Sequence, residues 1–127
     1  MDTNGNTLNW FEVPVSDFDR AKKFYETVFN IQLYVMDFGG FKMGLFPATP
    51  GDGKLHGAIC AGPEYTPSKD GALVYFNCNP DLQAHLDRVE AAGGKILRPK
   101  TQISPEYGNM AIFLDSEGNR VAMHSNK

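Results

Sequence analysis

Apolar and polar residues alternate from Trp10 to Val15, with Phe11, Val13 and Val15 on one side and Trp10, Glu12 and Pro14 on the other. A period of two predicts a strand. The period then lengthens. Ala21, Phe24, Tyr25, Val28 and Phe29 fall at i, i+3, i+4, i+7 and i+8, one apolar stripe of a helix. Ser16 or Asp17 is placed to accept from the free amides of its first turn. "NIQLYVMD" and "FKMGLFPA" predict two further strands, joined by a tight turn at Gly39-Gly40. "LHGAICAG" predicts a fourth, and "PEYTPSKDG", rich in Pro, Ser and Gly, a linker.

After the linker the order repeats. "ALVYFNC" reads as a strand, and Asn79-Pro80 offers a cap and a first-turn proline for a second helix. Leu82, Leu86 and Val89 form that helix's stripe, Gly93-Gly94 its end, and His85 falls on its surface side. "KILRPK" and "MAIFLD" are strands separated by a loop, Thr101 to Asn109, and "DSEGN" turns into a last strand, "RVAMHS". Strand-helix-strand-strand-strand thus occurs twice, an internal repeat of architecture. The expectation is an α+β fold: a single domain over residues 1–127, built of two tandem βαβββ modules, 8–61 and 72–125, with 62–71 as linker. Each module alone would leave one sheet face bare. Paired, they put helices on the outer face and leave a curved mixed sheet lining a hollow suited to a small molecule.

Composition narrows the partners. At 127 residues the chain can bury one core but not two ordinary ones. A net charge of -3 provides no basic face for nucleic acid. No apolar run approaches the roughly 20 residues that cross a bilayer, so no membrane partner is expected. The polar opening "MDTNGNT" lacks a signal-peptide profile. Cys60 and Cys78 have no short-spaced partner and read as buried, reduced thiols of a cytoplasmic protein.

The stretches "VPVSDFDRAKKFYETVF", "RVEAAGGKI" and "FLDSEGNRVAMHS", in this order and spacing from about Leu8 to Ser125, resemble the vicinal oxygen chelate superfamily of glyoxalases, extradiol dioxygenases and bleomycin-resistance proteins. "WFEVPV" with "GNRVAMHS" resembles its glyoxalase-related group. The resemblance implies metal ligands on four strands facing the hollow, and a homodimer. The first ligand, a His five residues before the Val of Val-x-Asp, falls on Trp10. Its second-half equivalent falls on Leu73 or Val74, and the terminal Glu on Ala122. None of these side chains holds a divalent ion, so the family's usual metal ligands are missing.

What remains on the inner face sets the candidates. Trp10 is either core or an aromatic wall for a planar or apolar ligand. Strand alternation puts Glu12 on the face of Trp10 and His124 on that of Ala122, while His56 lies near the remaining ligand position. Glu12, His56 and His124 are therefore expected to cluster as catalytic residues, either as a shifted metal site or as an acid–base and hydrogen-bonding group, or else to be separately solvated. The cofactor is then a divalent metal (Zn, Fe, Ni or Mn) or none. Tyr75, Asn77, Arg120 and Tyr107 are candidate substrate-binding residues, Arg120 as a partner for Glu12 or an anion and Tyr107 as a lid. Two functions follow. One is a glyoxalase-like small-molecule enzyme of unassigned reaction, a lyase or dioxygenase relative. The other is a metal-free binding or sequestration protein of the bleomycin-resistance type.

Overall fold

The computed structural model describes residues 2–127. The first module runs β1 (Trp10–Pro14), α1 (Phe18–Phe29), β2 (Tyr34–Asp37), β3 (Lys42–Leu45) and β4 (His56–Ala61). The second runs β5 (Tyr75–Asn77), α2 (Gln83–Leu86), β6 (Lys95–Ser104), β7 (Gly108–Leu114) and β8 (Arg120–Ser125). Each module forms a four-stranded mixed sheet, in the orders β1-β4-β3-β2 and β5-β8-β7-β6. The first and last strands of each pair in parallel, and the remaining pairs are antiparallel. This is the expected α+β arrangement of tandem βαβββ modules.

Local sequence explains the elements that position the inner face. Asp17 caps α1, accepting from the Arg20 amide at 3.0 Å. Asn30 closes it in the left-handed region at φ 53°, its amide donating to Glu26 O. Because Leu33 N then donates to the Glu26 side chain at 2.9 Å, the chain after the helix is held off the sheet, and β2 begins at Tyr34 rather than Asn30. Gly39 and Gly40 both adopt positive φ, 71° and 76°, as a two-residue hairpin turn needs.

Three other expectations are corrected. Thr101 to Asn109 is not an open loop: β6 and β7 extend into it, leaving only Pro105–Tyr107 outside the strands. Asn79-Pro80 does not cap α2. Instead Leu82 N donates to Ser125 Oγ at 2.9 Å, and Asn79 Oδ1 accepts from Asn126 N, so the last strand fixes the start of this short helix. His85 is half-buried rather than on the surface, its ring 5.7 Å from Phe29 and its Nδ1 beside Val28 O.

One core serves both modules. Val13, Val15, Phe24, Tyr25 and Ile59 from the first pack with Phe76, Leu82, Leu86, Phe113 and Met123 from the second. Phe11 and Phe76, from the facing edges of the two sheets, meet edge-on at 5.7 Å. The "DSEGN" turn adds a polar joint. Buried Asp115 accepts from Tyr25 Oη at 2.7 Å, and Asn119 Nδ2 donates to Pro14 O at 2.7 Å. Glu117, its side chain fully covered, accepts from Ser16 N, Ser16 Oγ, Asp17 N and the Arg20 guanidinium. Of the residues on the Phe11 side of the alternation, Val13 and Val15 join this core and Phe11 packs against it. The opposite faces of both sheets stay free.

Candidate functional site

The free face of the first sheet follows from strand register. Trp10 lies beside His56, Glu12 beside Ala58 and Pro14 beside Cys60, and β3 continues the row with Leu45 and Met43. On the second sheet Tyr75 lies beside Ala122 and Asn77 beside His124, with Ile112 and Met110 next to them. Tyr75, rather than Leu73 or Val74, therefore stands opposite Ala122.

Trp10 is 41% exposed, so it is not core. Its indole Nε1 donates to Glu12 Oε2 at 3.1 Å, and Tyr65 Oη donates to Glu12 Oε1 at 2.8 Å. Both carboxylate oxygens are thus engaged by neutral donors, and among the described residues no cation pairs with Glu12. Tyr65 is fixed in turn by stacking on Phe41, ring centres 5.4 Å apart, and Phe41 stacks on Phe38 at the tip of the β2–β3 hairpin. The hydrogen bond to Glu12, then partial desolvation, push the Tyr65 phenol up to about 12, so it remains a donor at neutral pH. The Cys60 thiol lies against the same pair. Burial first, and then the Glu12 charge, raise it to about 12, which keeps it a thiol.

The expected trio is not drawn together. His56 Nε2 sits 2.8 Å from Asp52 Oδ1, and Asp52 is held below the usual carboxylate range by the Lys54 amide and by His56. His124 Nε2 is hydrogen-bonded to the Tyr107 carbonyl, one strand pair away on the second sheet. Among the described residues no group of three His, Cys, Asp or Glu side chains is placed to hold a metal ion. Glu12, His56 and His124 therefore do not form the shifted metal site, because each has been claimed by its own local partner. The residues present do not fit the resident divalent ion that the fold implies.

The other candidates separate too. Tyr107 is 69% exposed at the β6–β7 turn and serves His124 through its backbone. Arg120 does not pair with Glu12; its Nε donates to Lys69 O at 3.3 Å. Tyr75 and Asn77 line a cleft of about 750 Å³ between the edges of β1 and β5, with Leu8, Phe11, Leu55 and Phe76.

Two cavities adjoin the Trp10–Glu12 pair. An apolar one of about 650 Å³ is walled by Trp10, Tyr34, Met36, Leu45 and Pro47, with His56 at its side. A smaller one of about 270 Å³ lies under the linker, where Glu12, Thr66, Ser68, Asp70 and Arg120 are set among the apolar Val13, Val74 and Val121. The pattern of the sequence led to Trp10, Glu12 and Arg120. It missed Tyr65, which lies in a linker without periodicity, and Asp52, whose only signal is its place four residues before His56. Cys60 was legible by alternation, two residues beyond Ala58 on the same face.

Comparison with known proteins agrees with this architecture. The family model of the glyoxalase/bleomycin resistance protein/dioxygenase superfamily matches residues 7–123. A glyoxylase-like domain-containing protein of Didymella fabae is 33% identical over 119 residues, covering 91% of each chain. A glyoxalase-related enzyme from Fulvimarina pelagi superposes with TM-score 0.69 at 15% identity, over 95% of this chain and 88% of that one. A glyoxalase I mutant from Zea mays gives TM-score 0.72 at 24% identity over 93% of this chain. This chain spans about half of the maize one, 46% of its length. Likeness at these identities is likeness of fold. No helix among the described residues is long and apolar enough to cross a membrane. By the family model's span and the near-complete relative alike, the chain belongs to the glyoxalase/bleomycin resistance protein/dioxygenase superfamily.

Proposed function

We propose that the protein is a glyoxalase-like enzyme that moves a proton on a small carbonyl compound, with Glu12 as proton acceptor. The observation that carries this is the Glu12 carboxylate, exposed, without a cationic partner among the described residues, and fixed by Trp10 Nε1 and Tyr65 Oη. A base needs a defined position and an available lone pair, and two neutral donors supply the first without neutralising the second. The C–H bond next to the carbonyl breaks and its proton passes to Glu12. The electron pair moves onto the carbonyl oxygen as an enol or enolate, and Glu12 returns the proton to carbon. Arg120, in the same cavity, supplies positive charge to the developing anion. His56 and His124 stand outside this step, as local hydrogen-bonding residues.

The test is exchange of the carbon-bound hydrogen in deuterated water, followed by proton NMR over a panel of small 2-oxo and 2-hydroxy compounds. Glu12→Gln is expected to slow exchange by roughly a hundred-fold or more. Exchange at the wild-type rate in Glu12→Gln would refute the assignment.

A second reading rests on the apolar cavity, whose wall of Trp10, Tyr34, Met36 and Leu45 suits a planar or apolar compound held without chemistry. Saturable quenching of Trp10 by such a compound, with no exchange on any panel member, selects that reading. Trp10, Tyr34, Met36 and Tyr75 also leave the inner faces apolar and open, at 41%, 71%, 36% and 49% exposed. We propose that a second copy covers them as a homodimer, which light scattering after size exclusion would test. Both cysteines are buried and unpaired, which suits a cytoplasmic protein.

A further inference from the structure

We infer that the small cavity between β1, β8 and the linker recognises a small carboxylate carrying a hydrogen-bond donor on its neighbouring carbon, with the carboxylate on Arg120 and the donor towards Glu12. The inference rests on the reading of Glu12 given above and names the substrate class. Arg120 and Glu12 line one cavity of about 270 Å³, yet no ion pair joins them, and among the described residues neither pairs with any other opposite charge. The Arg120 guanidinium is anchored at Nε by Lys69 O. Its planar fork is the group best matched to a carboxylate. In the same cavity Glu12 is held by its two donors and can accept from a hydroxyl or an ammonium.

Charge and size narrow the ligand further. Asp70 and Glu12 both face the cavity, so a dianion such as phosphate would meet two negative groups for one positive. A monoanion with an adjacent donor satisfies Arg120 and Glu12 together. The volume corresponds to roughly nine water molecules, enough for the head of a small metabolite and too little for a peptide segment. Val13, Val74 and Val121 form apolar walls, which strengthen the polar contacts they enclose.

Trp10 is the protein's single tryptophan and is bonded to Glu12, so its fluorescence reports occupancy. The probes are mandelate (hydroxyl), phenylglycine (ammonium), phenylacetate (no donor) and mandelamide (no charge). Mandelate or phenylglycine is expected to shift Trp10 emission saturably, phenylacetate to bind several-fold more weakly, and mandelamide roughly ten- to a hundred-fold more weakly. Arg120→Gln is expected to lose the same factor for the carboxylates, with Arg120→Lys between. Wild-type mandelamide and phenylacetate need no variant to fold. Mandelamide binding as well as mandelate, phenylacetate matching both donors, an unchanged affinity in Arg120→Gln, or no saturable shift with any carboxylate would each overturn the assignment. Arg120-dependent binding without Glu12-dependent exchange would leave this site standing and remove the proposed chemistry. Glu12-dependent exchange indifferent to Arg120→Gln and to ligand charge would do the reverse.

Discussion

Replacing Glu117 with glutamine keeps the side chain's shape and removes its charge at the joint between the two modules. Its carboxylate accepts from Ser16 N at 3.1 Å, Ser16 Oγ at 3.1 Å, Asp17 N at 2.8 Å and Arg20 Nε at 2.7 Å, and is fully covered. Burial pushes its pKa up, but the Arg20, Asp17, Ser116 and Ser16 donors together outweigh that and bring it from 4.5 to about 2. At about 1.4 kcal/mol per unit, a shift of this size sets an upper bound of about 3 kcal/mol. Arg20 is 55% exposed, so water and salt weaken its share, and about 2 kcal/mol is the expected loss in Glu117→Gln at neutral pH. For a domain of this size that is roughly 6 to 10 °C in Tm. The sign follows from a folded-state pKa below the unfolded one. The contribution is complete above pH 4.5 and disappears as pH falls from there towards about 2. Urea unfolding of wild type and Glu117→Gln, at neutral pH and at steps down to pH 3, measures both features. The two curves should converge on acidification. Equal stability at neutral pH, or a gap that widens in acid, would show that Glu117 does not staple the modules.

Four further outcomes are expected. Gly57→Ala would place a Cβ 2.2 Å from the Phe11 ring, so the variant should lose about 3 kcal/mol in urea unfolding, with part recovered in Gly57→Ala with Phe11→Leu. Tyr25→Phe removes the buried donor to Asp115, and about 1–3 kcal/mol should be lost in the same assay. Tyr65→Phe should leave the melting temperature near wild type and change Trp10 emission. It should slow Glu12-dependent exchange roughly ten-fold, because a carboxylate with one donor is less well positioned. Cys60, raised from 9.0 to about 12, carries roughly a thousand-fold less thiolate than an ordinary cysteine, so native protein should resist iodoacetamide at pH 8 and react on unfolding. Rapid native labelling of Cys60 would contradict that burial.

Most of the architecture was legible because it rests on periodicity. The alternation from Trp10 to Val15 separated two faces and left open whether Trp10 is core; burial settles it, with Val13 and Val15 in the core, Phe11 against it, and Trp10 and Glu12 on the free face. The failures have local physical causes. Residues 101–109 contain Pro105 and Gly108 and read as loop, but strand pairing reaches Gly108 because only a positive φ, 78° there, is needed to re-enter the ladder. The trio failed for another reason. Alternation tells which face a side chain takes but not what it bonds to on that face. Asp52 and the Tyr107 carbonyl captured the two histidines, and neither is visible as a partner until the chain is folded.

That distinction also divides the family's motifs from its chemistry. The "DSEGN" stretch, one of those on which the resemblance was read, works in this chain as a joint: Asp115 receives Tyr25, Glu117 receives Ser16, Asp17 and Arg20, and Asn119 reaches Pro14. In this chain the joint holds the modules together, while the inner face is the part turned towards a ligand, so fold and chemistry rest on different residues. Trp10 shows the change. Where the resemblance implies a metal-binding imidazole, an indole fills space on one side and, through Nε1, orients a carboxylate on the other. Restoring the family's ligand at that position alone should therefore not restore a metal centre. Trp10→His leaves Ala122 and Tyr75 unable to complete the set, and it frees one oxygen of Glu12. The expected result is no stoichiometric zinc or nickel by elemental analysis after dialysis, together with slower Glu12-dependent exchange, of the order expected for Tyr65→Phe. Tight metal binding by Trp10→His would mean that the inner face still holds a working ligand set, and that the indole had blocked a site rather than replaced one.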